Sequence, residues 1–283
     1  MSITSSSVLV EMNHSVWTAA KLDREATTQV TDNATAVRAA ARVNKNLLPG
    51  VPTLKAINGH AAANRMWHYS RTLPWSDQGA RLLPTSLFMD YKSEVNLRRN
   101  AFNQLVLDFL TEYPVLVQRA AADLGSLFDI NDYPTADELR HKFAFQVVFS
   151  PLPDAGDFRL DVGAHDIEEL KEQYESAFAN RLSDAMRAPW ENLHKLITGM
   201  SDKLIDLEGD EKKRYHETFI TNAQGMCQML THLNVTGDPK LEQARKELEK
   251  VIAGVDIDDI RDSAPMRAEV KGKLDTMLKT YEW

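Results

Sequence analysis

Cysteine is nearly absent: Cys227 is the only one in 283 residues, so neither an internal disulfide nor a cysteine-built zinc cluster can form. It lies in the apolar run Met226-Cys227-Gln228-Met229-Leu230 with no base beside it, which predicts a buried, inert thiol. No apolar run reaches the roughly 18–20 residues of a membrane span. The opening Met1-Ser2-Ile3-Thr4-Ser5-Ser6-Ser7 lacks the positive start and apolar stretch of a secretory signal. Together these absences predict a cytoplasmic protein with no membrane contact. The phosphate-cradling loops Gly-x-x-x-x-Gly-Lys and Gly-x-Gly-x-x-Gly are missing, as are the Gly-x-Ser-x-Gly elbow and any His-x-x-x-His pair. His60 and His68 share a helix face but stand ~12 Å apart, too far to hold one metal ion. No catalytic group, metal or cofactor is expected, and the chain leans away from being an enzyme.

Apolar residues make up 43% and charged residues 26%, enough apolar content for a packed core. The net charge of −8 is uneven. The first 100 residues carry 12 Lys/Arg against 7 Asp/Glu, and the remainder 21 against 34. A basic N-terminal third can meet nucleic acid, or an acidic surface of the same protein or of a partner. Within it Arg65, Arg71, Arg81, Arg98 and Arg99 lie among aromatics that include Trp75. That mixture can grip a single strand by phosphate contacts and base stacking, so these six are the candidate nucleic-acid-binding residues. The alternative is a core of aromatics under a solvated arginine face.

Periodicity divides the chain into three regions that can also form one continuous domain. Residues 1–84 are basic and helical. An extended lead-in over 8–17 comes first, then a helix from Asp32 or Asn33 to Leu48, then another from Thr53 to Arg71. An ordered Pro/Trp loop, Thr72–Pro84, closes this region. Residues 85–208 form a helical arm. Leu87, Tyr91, Val95, Phe102, Leu105, Phe109 and Tyr113 make one helical stripe, and Pro114 should kink the helix or restart it. Thr135-Ala-Asp-Glu138 is a capping-box pattern. Phe143, Phe145, Val147 and Phe149 alternate strictly, as do Phe158, Leu160 and Val162, predicting an antiparallel hairpin over about 143–162. A lone hairpin is marginal in water, so its phenylalanine face must pack on helices or on another chain. Phe143, Phe145, Phe149, Asp154 and Arg159 are therefore the candidate protein-binding residues. Ile167 to Leu204 forms the longest stripe, ten steps over 37 residues, with Pro189 breaking its hydrogen-bond ladder. Residues 209–283 are acidic and hold three helices, at 211–233, 239–253 and 264–281, with an acidic link over 256–262. The predicted class is mainly α, with long helical arms or a bundle and one inserted hairpin.

Several distinct turn and aromatic motifs follow one another along most of the chain. They are Thr72-Leu-Pro-Trp-Ser-Asp-Gln-Gly-Ala-Arg-Leu-Leu-Pro84, Phe109-Leu-Thr-Glu-Tyr-Pro114, Leu124-Gly-Ser-Leu-Phe128, Asp132-Tyr-Pro134, Phe149-Ser-Pro-Leu-Pro153, Gly156-Asp-Phe-Arg159 and Leu233-Asn-Val-Thr236. With them the chain resembles a domain-of-unknown-function family common in tailed bacteriophages, departing from it at Pro189. The resemblance implies a phage protein in the host cytoplasm. Genes of that family lie near a MoxR-like AAA+ ATPase and a von Willebrand A-type protein, similar to cobalt-chelatase subunits. It therefore implies an adaptor or accessory partner of a ring ATPase and carries over no functional residues. The alternatives are a nucleic-acid-binding protein of phage replication or recombination, and a self-associating virion or assembly component.

Overall fold

A computed structural model describes residues 3–77, 79–153, 164–205, 215–281 and 283. The fold is mainly α with a small antiparallel β part. In chain order the elements are α1 (Ile3–Ser6), β1 (Ser7–Ser15), β2 (Ala20–Leu22), α2 (Arg24–Asn33), β3 (Asn44–Asn46), α3 (Pro52–Tyr69), β4 (Leu73–Pro74) and β5 (Arg81–Pro84). Then come α4 (Phe88–Leu124), α5 (Ala136–Arg140), β6 (Ala144–Pro151), α6 (Ala164–Lys203), α7 (Thr218–Leu233), α8 (Pro239–Ile252), α9 (Ile257–Asp262) and α10 (Ala264–Thr280).

Local chemistry explains most boundaries. Asp238 caps α8 by accepting from the Lys240 N–H at 2.9 Å, and Pro239 opens the first turn, where a missing N–H costs nothing. Thr135 and Glu138 form the reciprocal capping box that starts α5. Gly125, at φ +52°, follows the end of α4 in a backbone conformation that glycine adopts without strain. The acidic stretch over 256–262, read as a link, contains α9 instead. Asp256 accepts from the Asp258 N–H, and Ile260 is fully buried. Pro114 neither ends nor restarts α4, which runs through it. The residue is exposed, so water can reach the carbonyl its ring leaves unbonded.

The helix expected over 32–48 does not form. Asp23 caps an earlier helix, α2, through the Ala26 N–H at 2.9 Å. Thr35 then adopts φ +50°, which no helix continues. In the following alanine-rich stretch only a short 3-10 turn forms, over Arg38–Ala40, the chain is extended again at Ala41, and β3 pairs antiparallel with β2, Lys21 opposite Lys45.

The chain divides into two compact units, each discontinuous in sequence. Unit 1 holds residues 1–11, 68–91 and 148–283, and unit 2 holds 12–67 and 92–147. Neither limit falls at 84 or 208, because pairing partners lie far apart along the chain. Strand β1 pairs with β5, Val8 opposite Leu83 and Leu9 opposite Leu82, and β4 pairs with β5 in turn. The four-stranded sheet has the order β4-β5-β1-β6. The predicted first hairpin strand is therefore β6, a member of a larger sheet. The predicted second strand, at 158–162, lies outside the described residues.

The core of unit 1 is built by α6, α7, α8 and α10 around Leu193, Ile197, Ala223, Leu230, Leu248 and Leu274. Cys227 is buried in it, as expected, and burial pushes its thiol up to about 11. A second cluster joins Leu73, Trp75, Leu82, Leu152, Ala185 and Leu233. The core of unit 2 gathers Ile57, Phe102, Phe109, Tyr113, Leu139, Phe143 and Phe145 from α3, α4, α5, β6 and the residue before β6.

Candidate functional site

A polar and aromatic constellation of unit 2 forms where β1, α3, α4 and β6 supply one side chain after another. His14 of β1 stacks on Phe145 of β6, with ring centroids 4.2 Å apart, and meets Phe102 of α4 edge-on at 5.8 Å. Asn64 of α3 is fully buried. Its amide nitrogen lies 3.2 Å from His14 Nε2, and its Oδ1 accepts from Arg98 Nη1 at 3.1 Å. The Arg98 guanidinium lies over the Trp67 ring at 4.6 Å and its Nε is 2.8 Å from a Glu94 carboxylate oxygen. His60 Nε2 lies 3.0 Å from the Arg98 carbonyl, and Arg99 sits over Phe145 at 5.8 Å. Burial, reinforced by the positive charge of Arg65 and by His60, pushes His14 down to about 4. The ring is thus neutral at pH 7.

A second constellation lies in unit 1. Arg81 of β5 donates through Nε to Thr72 Oγ1 at 2.7 Å and through Nη2 to the Thr72 carbonyl at 2.9 Å. It lies over the Tyr69 ring at 4.6 Å. Thr72 in turn donates to the His68 carbonyl at 2.7 Å, and His68 Nδ1 meets the Tyr91 hydroxyl at 2.7 Å. The guanidinium therefore sits at the C-terminal end of α3, where unpaired carbonyls and the helix dipole favour a cation. Burial lowers the affinity of Arg81 for its proton, opposed by Tyr69 and Tyr91.

The candidate residues are thus redistributed. Arg65, Arg98 and Arg99 fall together in unit 2, with Phe145 beside them. Arg71, Arg81 and Trp75 belong to unit 1. Trp75 is 7% exposed and packs edge-on against Phe178 at 5.1 Å, so its face is not open to a nucleic-acid base. Phe143 and Phe145 are core, at 9% and 8% exposure, held by Phe109 and Phe102 at 5.7 and 6.0 Å. The helices of this chain cover them, which corrects their reading as a face for another protein. Phe149 packs against Phe88 and Tyr91 in unit 1. Asp154 and Arg159 lie outside the described residues. His14 and Asn64 are 50 residues apart and belong to no short motif, so no local sequence signal joins them.

Among the described residues no group of three or more His, Cys, Asp or Glu could hold a metal ion. No helix there is long and apolar enough to cross a membrane. The fold and these two networks define a mainly α protein with a small antiparallel sheet. The chain matches no protein-family model, no curated protein and no solved structure.

Proposed function

We propose that the chain is a non-enzymatic interaction protein, an adaptor or accessory partner of a MoxR-like AAA+ ATPase, the partner that the family resemblance names. The observation that supports an interaction role is the outer face of α4 in unit 2. Leu97, Leu107 and Val115 are 65%, 54% and 66% exposed. At about 100° per residue they fall within roughly 80° of the helix circumference. Ser93, Asn100, Gln104 and Thr111, all exposed and uncharged, share that stripe. An exposed, uncharged stripe that carries three large apolar side chains is a surface that a partner can cover without stripping water from charges. The nucleic-acid alternative has less support, since Trp75 is core and Arg81 and Arg98 are committed to neighbours within their own units.

The test uses the purified full chain and a MoxR-like AAA+ ATPase with its von Willebrand A-type companion, followed by size-exclusion chromatography and titration calorimetry. Co-elution, with at least tenfold weaker binding by a Leu97→Glu/Leu107→Glu/Val115→Glu variant of unchanged circular dichroism, is the expected result. Wild-type chain that stays apart from both proteins at tens of micromolar overturns the reading.

A further inference from the structure

His14, Asn64 and Arg98 form a hydrogen-bond chain with fixed polarity. The Asn64 amide has one donor end and one acceptor end. Its acceptor end is held by Arg98 Nη1 at 3.1 Å, and a guanidinium only donates. The donor end therefore faces His14 Nε2, at 3.2 Å, and that nitrogen must be the unprotonated acceptor. Protonation puts a hydrogen on Nε2, and two donors then face each other. Flipping the amide only moves the conflict to Arg98. Asn64 is fully buried, so water offers no relief at that position.

The surrounding charges act in the same direction. The groups around the ring are His60 and Arg65 from α3 and, from α4, Arg98, Arg99 and the Glu94 that pairs with Arg98. Phe102 and Phe145 complete its walls. Glu94, the carboxylate named among them, is already ion-paired with Arg98. Unit 2 as a whole holds 13 Lys/Arg against 11 Asp/Glu, whereas unit 1 holds 20 against 30. Acidification therefore increases self-repulsion in unit 2 and relieves it in unit 1.

We propose that His14 is an acid-sensitive lock of unit 2: the neutral ring closes the Asn64–Arg98 chain, and its protonation opens this unit while unit 1 stays folded. A histidine whose folded proton affinity is depressed contributes stability above its unfolded value near 6.5 and loses it as pH falls toward the folded value. The opening window is thus about pH 6.5 to 4, the lower bound set by His14.

Hydrogen exchange read by mass spectrometry, corrected for intrinsic rates, tests this on the full chain between pH 7 and 4. Amides of residues 57–67 and 98–109 should lose at least tenfold protection across that window, while those of residues 219–230 keep theirs. The decisive variant is Asn64→Asp, whose carboxylate can accept from both His14 and Arg98. It should raise the His14 titration, followed by NMR of the ring proton, by more than two pH units and abolish the selective opening. His14→Gln, which cannot be protonated, should also remain closed at pH 4.5. Wild-type His14 titrating near 6.5 overturns the lock. So does equal loss of protection in both units, or an unchanged profile in Asn64→Asp.

Discussion

Asp132 shows how one side chain can organise a local region of unit 2. Its carboxylate is 5% exposed and pairs with Lys21 and, at 2.6 Å, with Lys45. Lys45 also donates to the Leu127 carbonyl at 2.8 Å. Burial alone would raise the Asp132 proton affinity, but hydrogen bonds and charge from both lysines outweigh it and hold the carboxyl below its ordinary range. Its folded value being depressed, Asp132 contributes stability that is complete above the unfolded carboxylate value and lost as pH falls through the folded one. Asp132→Asn should cost about 2 kcal/mol at pH 7. The difference between the two proteins in denaturant titrations should shrink as the pH falls below the unfolded carboxylate value. Cys227 gives a second residue-scale expectation. A buried thiol pushed up to about 11 should react with an aromatic disulfide reagent at least a hundredfold more slowly in the native protein than in denaturant. Equal rates would mean that the α7–α8 core is open.

Individual elements were fixed to different degrees by their own residues. Helix α5 is five residues long and exists through its cap and through Leu139, which is fully buried. Thr135→Ala should remove about 1 kcal/mol, read as a shift in the denaturation midpoint. Strand β6 depends on packing. Phe145 fills unit 2 between His14, Phe102 and Arg99, so Phe145→Ala should cost about 3–5 kcal/mol. Charging Phe143 or Phe145 would therefore unfold unit 2 before it reported on any partner. The alternation of Phe143, Phe145, Val147 and Phe149 announced a strand with an apolar face. What covers that face could not be read there, because the covering rings come from α4 and β1.

Across the whole molecule the two units carry opposite net charge, +2 and −10, although the sequence places its basic excess in the first hundred residues. Raising ionic strength from about 20 mM to about 500 mM should slow hydrogen exchange in unit 1 more than in unit 2, because screening relieves the larger self-repulsion. Equal slowing would show that net charge does not limit opening. The spans of α3, α4, α6, α8 and α10 were legible because caps, prolines and apolar spacing act within a few residues. The failed helix over 32–48 marks the limit of that reading, since alanine-rich propensity yielded to the β2–β3 pairing and to the lysines drawn to Asp132. By itself the sequence determined a mainly α chain with a single cysteine and a strand before the longest helix. Only the tertiary structure decided that two units interleave and that Phe145 is core. It alone set Asn64 between a histidine 50 residues before it and an arginine 34 after it. Such pairings are chosen by packing across the fold, and no local pattern encodes them.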